Sequence, residues 1–366
     1  MPAITLDTLR RYAVTRTLFT PTTLLRAVGR LGFVQADPIR APARAQDLIL
    51  RHRVTGYRVG DLERRYPRLA LEEDCFVNYG FLPREHLGLM HPRVARRPWD
   101  EDTHRRAAEV LAFVRERRRV HPREVEARFA HGRITNYWGG TSAATTHLLD
   151  GMHYRGLLRV ARRDKGIRVY EAIEHPVADD SPAAQAERAA ALVDLVVRTY
   201  APLPVRSLST AVLMLDYGAP HLAAPVRAAL RLARERLSST EIDGVAWYWP
   251  ADEKPGSSRY QPDDEVRLLA PFDPVVWDRN RFERLWGWTY RFEAYTPAAR
   301  RRLGYYALPL LWREHVIGWG NLSLQPDGRL ATSLGYIAGE APRDPAFGRA
   351  LEAELERVRG FLGAAG

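Results

Sequence analysis

A glutamine and an aspartate two residues apart form the pattern most capable of chemistry, at Gln35-Ala36-Asp37-Pro38. Proline disfavours the helical region for the residue before it, so Asp37 is expected to be extended. In an extended segment residues i and i+2 point to one face, so Gln35 and Asp37 are expected to share a surface. They are interpreted as a catalytic pair. A solvated strand residue followed by a turn-forming aspartate would also explain these four residues.

A helix and the turn that ends it must position this pair. Residues 6–15 are predicted as a first helix, and Thr20 as the N-cap of a second, with Pro21 at its first position. Apolar residues at helical spacing fill the second helix up to Gly32, which ends it. The chain then enters an extended run over residues 33–37. The pair is therefore expected just past a helix end.

The composition predicts a globular protein of two or three domains. The chain has 366 residues, of which 46% are hydrophobic. Its single cysteine, Cys75, excludes an internal disulfide and a thiolate zinc site, and it indicates a reducing compartment. The apolar runs are far shorter than the roughly 20 residues of a membrane span, and residues 1–5 lack a signal-peptide pattern. A cytoplasmic protein without a membrane partner is expected.

The charge balance indicates a polyanionic partner. There are 55 basic and 44 acidic residues, a formal net charge of +11. Arginine far outnumbers lysine, which GC-rich genomes also favour, so the distribution matters more than the total. Five cations surround one predicted turn that contains a single acid, Asp164: Arg159, Arg162, Arg163, Lys165 and Arg168. They would repel one another unless an anion met them, although a solvated face is the simpler alternative.

A three-helix and hairpin pattern recurs along the chain. The clearest copy has helices at residues 105–118, from Pro122, and at 142–154, then strands at 157–161 and 167–170. This order is typical of a winged helix-turn-helix, whose third helix can enter a groove while the hairpin contacts the flanking backbone. Another copy is predicted from helices at 183–199, 209–216 and 224–236 and a hairpin at 237–242 and 245–249. Its hairpin is aromatic and not basic.

The sequence pattern of the last hundred residues predicts an antiparallel sheet or small barrel. Short strands are predicted at residues 266–269, 290–294, 304–311, 315–324 and 330–337, with a closing helix at 347–362. The predicted fold class is α+β: three tandem winged helix-turn-helix modules, then an antiparallel β-barrel-like domain and a final helix. The corresponding domains are residues 1–100, 101–175, 176–262 and 263–366.

A long motif in the C-terminal part carries a family resemblance. It begins as Leu269-Ala270-Pro271-Phe272-Asp273-Pro274-Val275-Val276-Trp277-Asp278-Arg279 and continues through residues 290–297 and 304–311. This motif resembles the C-terminal signature of the AlkZ/YcaQ family of DNA glycosylases, and Gln35-Ala36-Asp37 resembles that family's Gln-apolar-Asp catalytic motif. The resemblance implies three winged helices and a β-barrel cradling duplex DNA. It also implies excision of N7-alkylated purines and unhooking of alkylation crosslinks, at the bacterial nucleoid.

The residues suit that chemistry. An N7-alkylated purine is cationic and leaves readily, so one carboxylate suffices: Asp37 would offset positive charge at C1′ and accept a proton from water. Gln35 would orient the water. No motif identifies a lysine nucleophile, so hydrolysis that leaves an abasic site is preferred over a lyase. The histidines show no metal-ligand spacing, and neither a metal nor another cofactor is expected.

The DNA contacts are expected to be mostly basic. They are assigned to Arg40, Arg44, Thr146, His147, Arg159, Arg162, Arg163, Lys165 and Arg168. Asp273, Asp278 and Arg279 fit either buried charge pairing or catalysis. The aromatic loop at residues 136–140 fits either a helix cap with core aromatics or an arm that reaches the lesion.

Two positions depart from the family's pattern. Around residues 75–83 family members carry a His-Glu-Ala sequence, and here Asn78-Tyr79-Gly80 stands in that region. Trp319 follows Gly318 where the family commonly has arginine. Both departures bear on the range of substrates more than on the bond that is broken.

Two other functional classes are alternatives. A winged-helix regulator would bind DNA without altering it, usually as a dimer on spaced half-sites, whereas three copies in one chain can surround a lesion as a monomer. A regulator would not need Asp37. A nuclease is disfavoured because no carboxylate cluster for two-metal catalysis stands out.

Overall fold

The computed structural model describes residues 3–130, 132–135, 141–176 and 179–364. Its helices are α1 Leu6–Thr17, α2 Leu24–Leu31, α3 Ala45–Leu50, α4 Asp61–Arg65, α5 Leu87–Met90, α6 Glu101–Arg117, α7 Pro122–Phe129, α8 Ala144–Tyr154, α9 Pro182–Tyr200, α10 Val205–Leu213, α11 Leu215–Gly218, α12 Ala223–Arg236, α13 Arg279–Trp286 and α14 Pro345–Leu362. Its strands are β1 Val34–Gln35, β2 Leu71–Cys75, β3 Tyr79–Pro83, β4 Arg133–Thr135, β5 Thr141–Ala143, β6 Leu158–Asp164, β7 Ile167–Ala172, β8 Leu203–Pro204, β9 Ser238–Ile242, β10 Val245–Trp249, β11 Val266–Leu268, β12 Leu308–Trp312, β13 His315–Leu324 and β14 Leu330–Tyr336. The aromatic loop at residues 136–140 lies outside the described residues.

The chain forms two compact units, each made of separate stretches of sequence. The first unit comprises Met1–Leu62, Asp194–Ala211 and Leu232–Gly366, and the second comprises Glu63–Val193 and Val212–Arg231. The four sequential domains predicted above remain a prediction.

The first unit contains an open antiparallel sheet, not a closed barrel. Its strand order is β11-β12-β13-β14, and in the described part of the chain the two outer strands do not pair with each other. β11 pairs with β12 over three residues only, so it offers a short edge to any further partner. Of the two predicted alternatives the sheet is therefore confirmed and the barrel is wrong.

A buried apolar cluster joins the N-terminal helix to this sheet. Val14 and Leu18 from the end of α1 pack with Phe282 of α13, Leu311 of β12 and Val316 of β13. Burying such side chains contributes about 1.5–3 kcal/mol each. The N-terminal and C-terminal ends of the chain are thereby parts of one core.

The second unit contains the three helices and the hairpin predicted for the winged-helix copy, with an additional hairpin of β4 and β5 between α7 and α8. Helices α6, α7 and α8 are followed by the antiparallel hairpin of β6 and β7. Lys165 and Gly166 both have positive φ, 48° and 86°, as a tight two-residue hairpin turn requires. The hairpin of β2 and β3, also antiparallel, belongs to the same unit.

Several local predictions need correction. Thr23, not Thr20, is the N-cap of α2. The single helix predicted at residues 209–216 is instead two helices, α10, which begins at Val205, and α11. Residues 290–294 form no strand. Helix α13 was not predicted, although Asp278 caps its N-terminus through Arg281 N and Gly287 ends it with φ 67°.

Candidate active site

The turn at Gly32 positions the Gln35 and Asp37 segment. Gly32 has φ 73°, a conformation that favours glycine, and it ends α2. A Cβ atom here would lie 2.8 Å from Leu195 Cδ1 and 3.0 Å from Thr199 Oγ1 of α9. Another residue would strain the backbone at this φ and would have to displace the Leu195 side chain, whereas glycine lets the chain turn directly from α2 into β1.

The Asp37 carboxylate is half-buried and partly committed to its own loop. Oδ1 accepts a hydrogen bond from Ile39 N at 2.9 Å, which spans Pro38 as an Asx turn does. The Asp37 backbone N–H donates to Gln46 Oε1 of α3 at 3.3 Å. Oδ2 accepts no hydrogen bond from the described residues. Oδ1 forms the turn and Oδ2 is left for chemistry, so the turn-forming role and a catalytic role are compatible.

Burial makes Asp37 a stronger base than an exposed aspartate. Desolvation raises the pKa of its carboxyl above the ordinary value, and the hydrogen bond from Ile39 N offsets only part of that rise. A carboxylate with a raised pKa accepts a proton from water more readily.

Gln35 is buried with an unsatisfied acceptor. The side chain is 6% exposed, and its Oε1 atom has no hydrogen-bond partner among the described residues. Such a buried acceptor costs about 1–3 kcal/mol unless water or a ligand meets it. The side-chain amide oxygen of Gln35 is therefore an acceptor without a donor in the described structure.

Tyr306 is a buried polar group of the C-terminal motif, and the sequence interpretation had assigned it no role. It is 2% exposed, and its hydroxyl has no hydrogen-bond partner among the described residues. Burial raises the pKa of the hydroxyl, and the negative charge of Asp37 raises it further, so the hydroxyl is neutral. A tyrosine within a buried apolar run of the C-terminal motif was the available signal.

Two polar side chains hold the loop that carries Tyr306. One oxygen of Glu293 accepts from the backbone N–H groups of Arg302, Leu303 and Gly304, and Asn321 Nδ2 donates to Leu303 O at 2.7 Å. Three backbone donors on one carboxylate oxygen fix the loop without a regular strand.

Aromatic packing fixes the ring of Tyr306. Phe292 contacts it edge to face with ring centroids 5.3 Å apart. Tyr290 donates its hydroxyl to Ala307 O at 2.7 Å, next to Tyr306 in the chain. Phe292 therefore holds the Tyr306 ring, and Tyr290 holds the backbone next to it.

A buried ion pair anchors the helix that follows Asp37 to the C-terminal motif. Arg53 lies just after α3 and donates to both oxygens of Asp273, at 2.8 and 2.9 Å, with both side chains fully buried. Asp278 caps α13, and Arg279 lies over the Tyr290 ring at 4.5 Å. Charge pairing accounts for Asp273 and helix capping for Asp278, so neither needs a catalytic role.

The four other predicted DNA contacts lie at or near the surface. Arg40 is exposed and Arg44 half-buried in the loop between Asp37 and α3. Thr146 and His147 are exposed in the first turns of α8, in the second unit. These positions leave Arg40, Thr146 and His147 accessible to a macromolecular partner.

Most of the wing cations are paired within the protein. Arg163 Nε donates to Glu73 at 3.0 Å, Arg159 Nε donates to Glu72 at 2.9 Å, and Arg168 Nη1 donates to Asp150 at 2.8 Å. Glu72 and Glu73 are buried on β2. The anions expected to meet this cluster are thus largely the protein's own.

The electrostatics of Glu73 agree with this pairing. Burial would raise the pKa of its carboxyl, but Arg163 and Arg168 outweigh burial and hold the pKa below the ordinary value. Arg162 has only a distant contact, 3.9 Å to Asp164, and Lys165 has no ion pair among the described residues. These two exposed cations are the part of the wing that is left for an external anion.

The two departures from the family pattern have packing roles. Tyr79 donates its hydroxyl to Glu73 at 2.7 Å, and Arg168 lies over its ring at 4.4 Å. Trp319 stacks on Trp288 with ring centroids 5.8 Å apart. Gly335, opposite Trp319 on β14, leaves room for the indole, because a Cβ there would lie 2.3 Å from Trp319 Cζ2.

The described residues contain no cluster of three or more His, Cys, Asp or Glu side chains that could hold a metal ion. Within the same residues no helix is long and apolar enough to cross a membrane.

Comparison with known proteins finds a family and a similar fold. The family model "DNA glycosylase AlkZ-like" matches residues 28–361, a span that includes the Gln35 and Asp37 pair and the whole C-terminal motif. The structure is similar to that of Streptomyces sahachiroi DNA glycosylase AlkZ, with a TM-score of 0.65 and 15% sequence identity, over 100% of this chain and 98% of that one. This likeness shows a common mixed α/β fold. The chain belongs to the AlkZ-like family of DNA glycosylases.

Proposed function

We propose that this protein is a monofunctional DNA glycosylase that hydrolyses the N-glycosidic bond of N7-alkylated purines in duplex DNA. Its substrates include bulky adducts and interstrand crosslinks, its product is an abasic site, and it acts as a cytoplasmic monomer. The observation that carries the proposal is the half-buried Asp37, with one oxygen free of hydrogen bonds in the described structure, in the same short segment as the unsatisfied Gln35. Membership of a DNA glycosylase family supports it.

The reaction needs only these groups. Alkylation at N7 makes the purine cationic, so the bond from C1′ to N9 breaks with its electron pair moving to the base, which leaves neutral. The sugar becomes oxocarbenium-like, and the Asp37 carboxylate offsets its positive charge. Water then attacks C1′, and Asp37 accepts the proton that the water loses. Gln35 orients the water by accepting its other hydrogen.

Duplex DNA is proposed to bind through winged-helix modules. Three tandem modules are proposed, one of them comprising helices α6 to α8 with the β6 and β7 hairpin. Thr146 and His147 would face the groove, while Arg40, Arg44, Arg162 and Lys165 would contact phosphate. Arg159 and Arg163 would mainly hold the hairpin to β2, and Arg168 would hold it to both β2 and α8, because carboxylates already pair with them.

The wing offers a test that separates DNA binding from folding. Replacing Arg162 and Lys165 together with alanine is expected to weaken duplex binding and to reduce the slope of log affinity against log salt by about 2, since each lost phosphate contact removes about 0.9. Stability should not change, because both side chains are exposed. Fluorescence anisotropy at several salt concentrations measures the slope.

Arg163→Ala is the matched control in the same hairpin. It removes one of the cations that pair with the buried Glu73 carboxylate. We expect this loss to lower the unfolding free energy by about 2–4 kcal/mol. An unchanged salt slope in the double variant would remove Arg162 and Lys165 from the DNA interface.

The proposed function is tested by release of free base from DNA. Wild-type protein is incubated with methylated duplex DNA, and N7-methylguanine is measured by chromatography, with unmethylated duplex as the control and DNA binding measured alongside. We expect released base and alkali-labile sites, with no strand cleavage before alkali. Duplex binding without release of methylated or bulky N7 adducts would instead indicate a non-catalytic DNA-binding protein.

A further inference from the structure

We propose that residues 291–305 of the first unit, here called the arginine–tyrosine loop, bind an unpaired segment of DNA through exposed tyrosine rings and arginines that lack a carboxylate partner. The inference rests on the proposed function for the kind of polymer, DNA. It adds a second binding surface in the C-terminal part of the chain. It also adds a second state of the substrate, because the winged-helix modules are proposed to bind the paired duplex.

Two tyrosines of the arginine–tyrosine loop present their rings to solvent. Tyr295 is 79% exposed and Tyr305 is 43% exposed. Phe292 contacts the Tyr295 ring edge to face with centroids 6.0 Å apart, and it also packs against Phe272 at 5.2 Å. Tyr295 therefore stands on a packed aromatic neighbour while most of its surface is open. Such a ring can stack with a planar group of a ligand.

The same loop carries positive charge that no acid of the loop balances. It contains four arginines and one acid, Glu293. Glu293 is buried, and one of its oxygens accepts from the backbone N–H groups of residues 302–304. Three of the arginines are exposed and have no ion pair among the described residues: Arg291, Arg300 and Arg302. Unlike most of the wing cations, these three are available to an external anion.

The fourth arginine joins the two halves of the loop. Arg301 Nε donates to Thr296 O at 2.8 Å, and its guanidinium lies over the Tyr305 ring at 4.9 Å. Together with the bonds that Glu293 makes to the backbone, this contact fixes the loop before any ligand arrives. A fixed surface loses little conformational entropy on binding. Because Arg301 already lies over Tyr305, Tyr295 is the main stacking position.

An unpaired DNA strand fits both the rings and the charges. Every base has a flat face on which an aromatic side chain can stack, and sites for single strands combine such rings with cations that contact phosphate. In a duplex the neighbouring bases cover those faces. A damaged base is among the easiest to unpair, so the proposed substrates would supply such a segment. An acidic peptide would satisfy the arginines but would leave the tyrosine rings without a planar partner.

The test is the affinity of the whole protein for a short fluorescein-labelled oligo-dT, measured by anisotropy. Tyr295→Ala is expected to weaken binding about tenfold, the effect of losing one base stacked on an aromatic ring. Tyr295→Phe keeps the ring and should bind like the wild type. A 2-aminopurine base placed in the oligonucleotide reports stacking directly, because stacking quenches its fluorescence. The wild type should quench it more than Tyr295→Ala does.

The arginines give a second readout, the salt dependence of the same binding. Replacing Arg300 and Arg302 together with alanine is expected to reduce the slope of log affinity against log salt by about 1.4, since each phosphate contact on a single strand contributes about 0.7. Both side chains are exposed, and Arg302 contacts Glu293 through its backbone N–H only. Urea unfolding should therefore be unchanged in this variant.

Tyr217→Ala is the matched control, because Tyr217 is a 60% exposed tyrosine of α11 in the second unit. It should bind oligo-dT like the wild type. Equal affinity of the wild type and Tyr295→Ala for oligo-dT, or an equal loss in Tyr217→Ala, would overturn the inference. Tighter binding of oligo-U than of oligo-dT would overturn the assignment to DNA.

The inference and the proposed function can fail separately. Release of N7-methylguanine from duplex by a wild type that does not bind oligo-dT would overturn the inference and leave the proposed function standing. Binding of oligo-dT that depends on Tyr295, without release of any N7-alkylated base, would support the inference and overturn the proposed function.

Discussion

Asp37→Asn is expected to slow the release of N7-methylguanine by about 10³-fold while leaving affinity for duplex DNA within about twofold. The factor is the size typical of removing one preorganised electrostatic partner of a transition state. Asparagine has nearly the same shape, and its side-chain oxygen can still accept from Ile39 N. The loop should therefore keep its conformation and lose only the negative charge and the proton acceptor.

Base release is measured by single-turnover chromatography, and binding by anisotropy on a methylated duplex. Asp278→Asn is the matched control, because asparagine caps helices about as well as aspartate and α13 lies outside the proposed chemistry. Equal release by Asp37→Asn and wild type would exclude Asp37 as the catalytic carboxylate. Loss of binding together with release would assign Asp37 to the DNA interface instead.

Local patterns in the sequence predicted much of the secondary structure. α1, α12, the β6 and β7 hairpin and the β9 and β10 hairpin lie within a few residues of their predicted positions. Each combines a clear periodicity with a local stop signal, such as Gly244, whose φ of 72° makes the turn between β9 and β10. Such signals depend on neighbours in the chain and can therefore be found without the fold.

The errors arose where distant contacts override local pattern. Residues 290–294 alternate as a strand would, yet Tyr290 packs in the core around Phe282, and Glu293 turns to bind backbone N–H groups of residues 302–304. The barrel prediction assumed that the sheet closes on itself. Closure needs hydrogen bonds between the two edge strands, and the positions of strands along the sequence do not show whether those hydrogen bonds form.

The candidate site was also predicted only in part, because contacts between distant residues cannot be read from local patterns. Gln35 and Asp37 are close in sequence, so their spacing alone suggested a pair. The charge of Asp37 raises the pKa of the distant Tyr306 only through the folded structure. The wing cations were likewise interpreted without Glu73, which lies 90 residues before its partner Arg163. Charges that look unpaired along the sequence can be neutralised across the fold.

The buried pair of Arg53 and Asp273 gives the second large expected effect. Asp273→Ala would leave the Arg53 guanidinium fully buried without its carboxylate, with only the carbonyl oxygens of Thr17 and Ile49 as acceptors. Breaking a buried pair from one side costs about 3–5 kcal/mol, a large share of the total stability of a domain. We therefore expect a markedly lower unfolding free energy, measured by urea denaturation.

Asp278→Ala, five residues later in the same motif, separates charge pairing from capping. It removes the N-cap of α13 and should cost only about 1 kcal/mol. If Asp273→Ala cost no more than that, the pair would not anchor the region after α3. Because Arg53 follows the helix whose Gln46 binds the Asp37 backbone, an intact pair would connect the proposed catalytic segment near the N-terminus to a motif more than two hundred residues away.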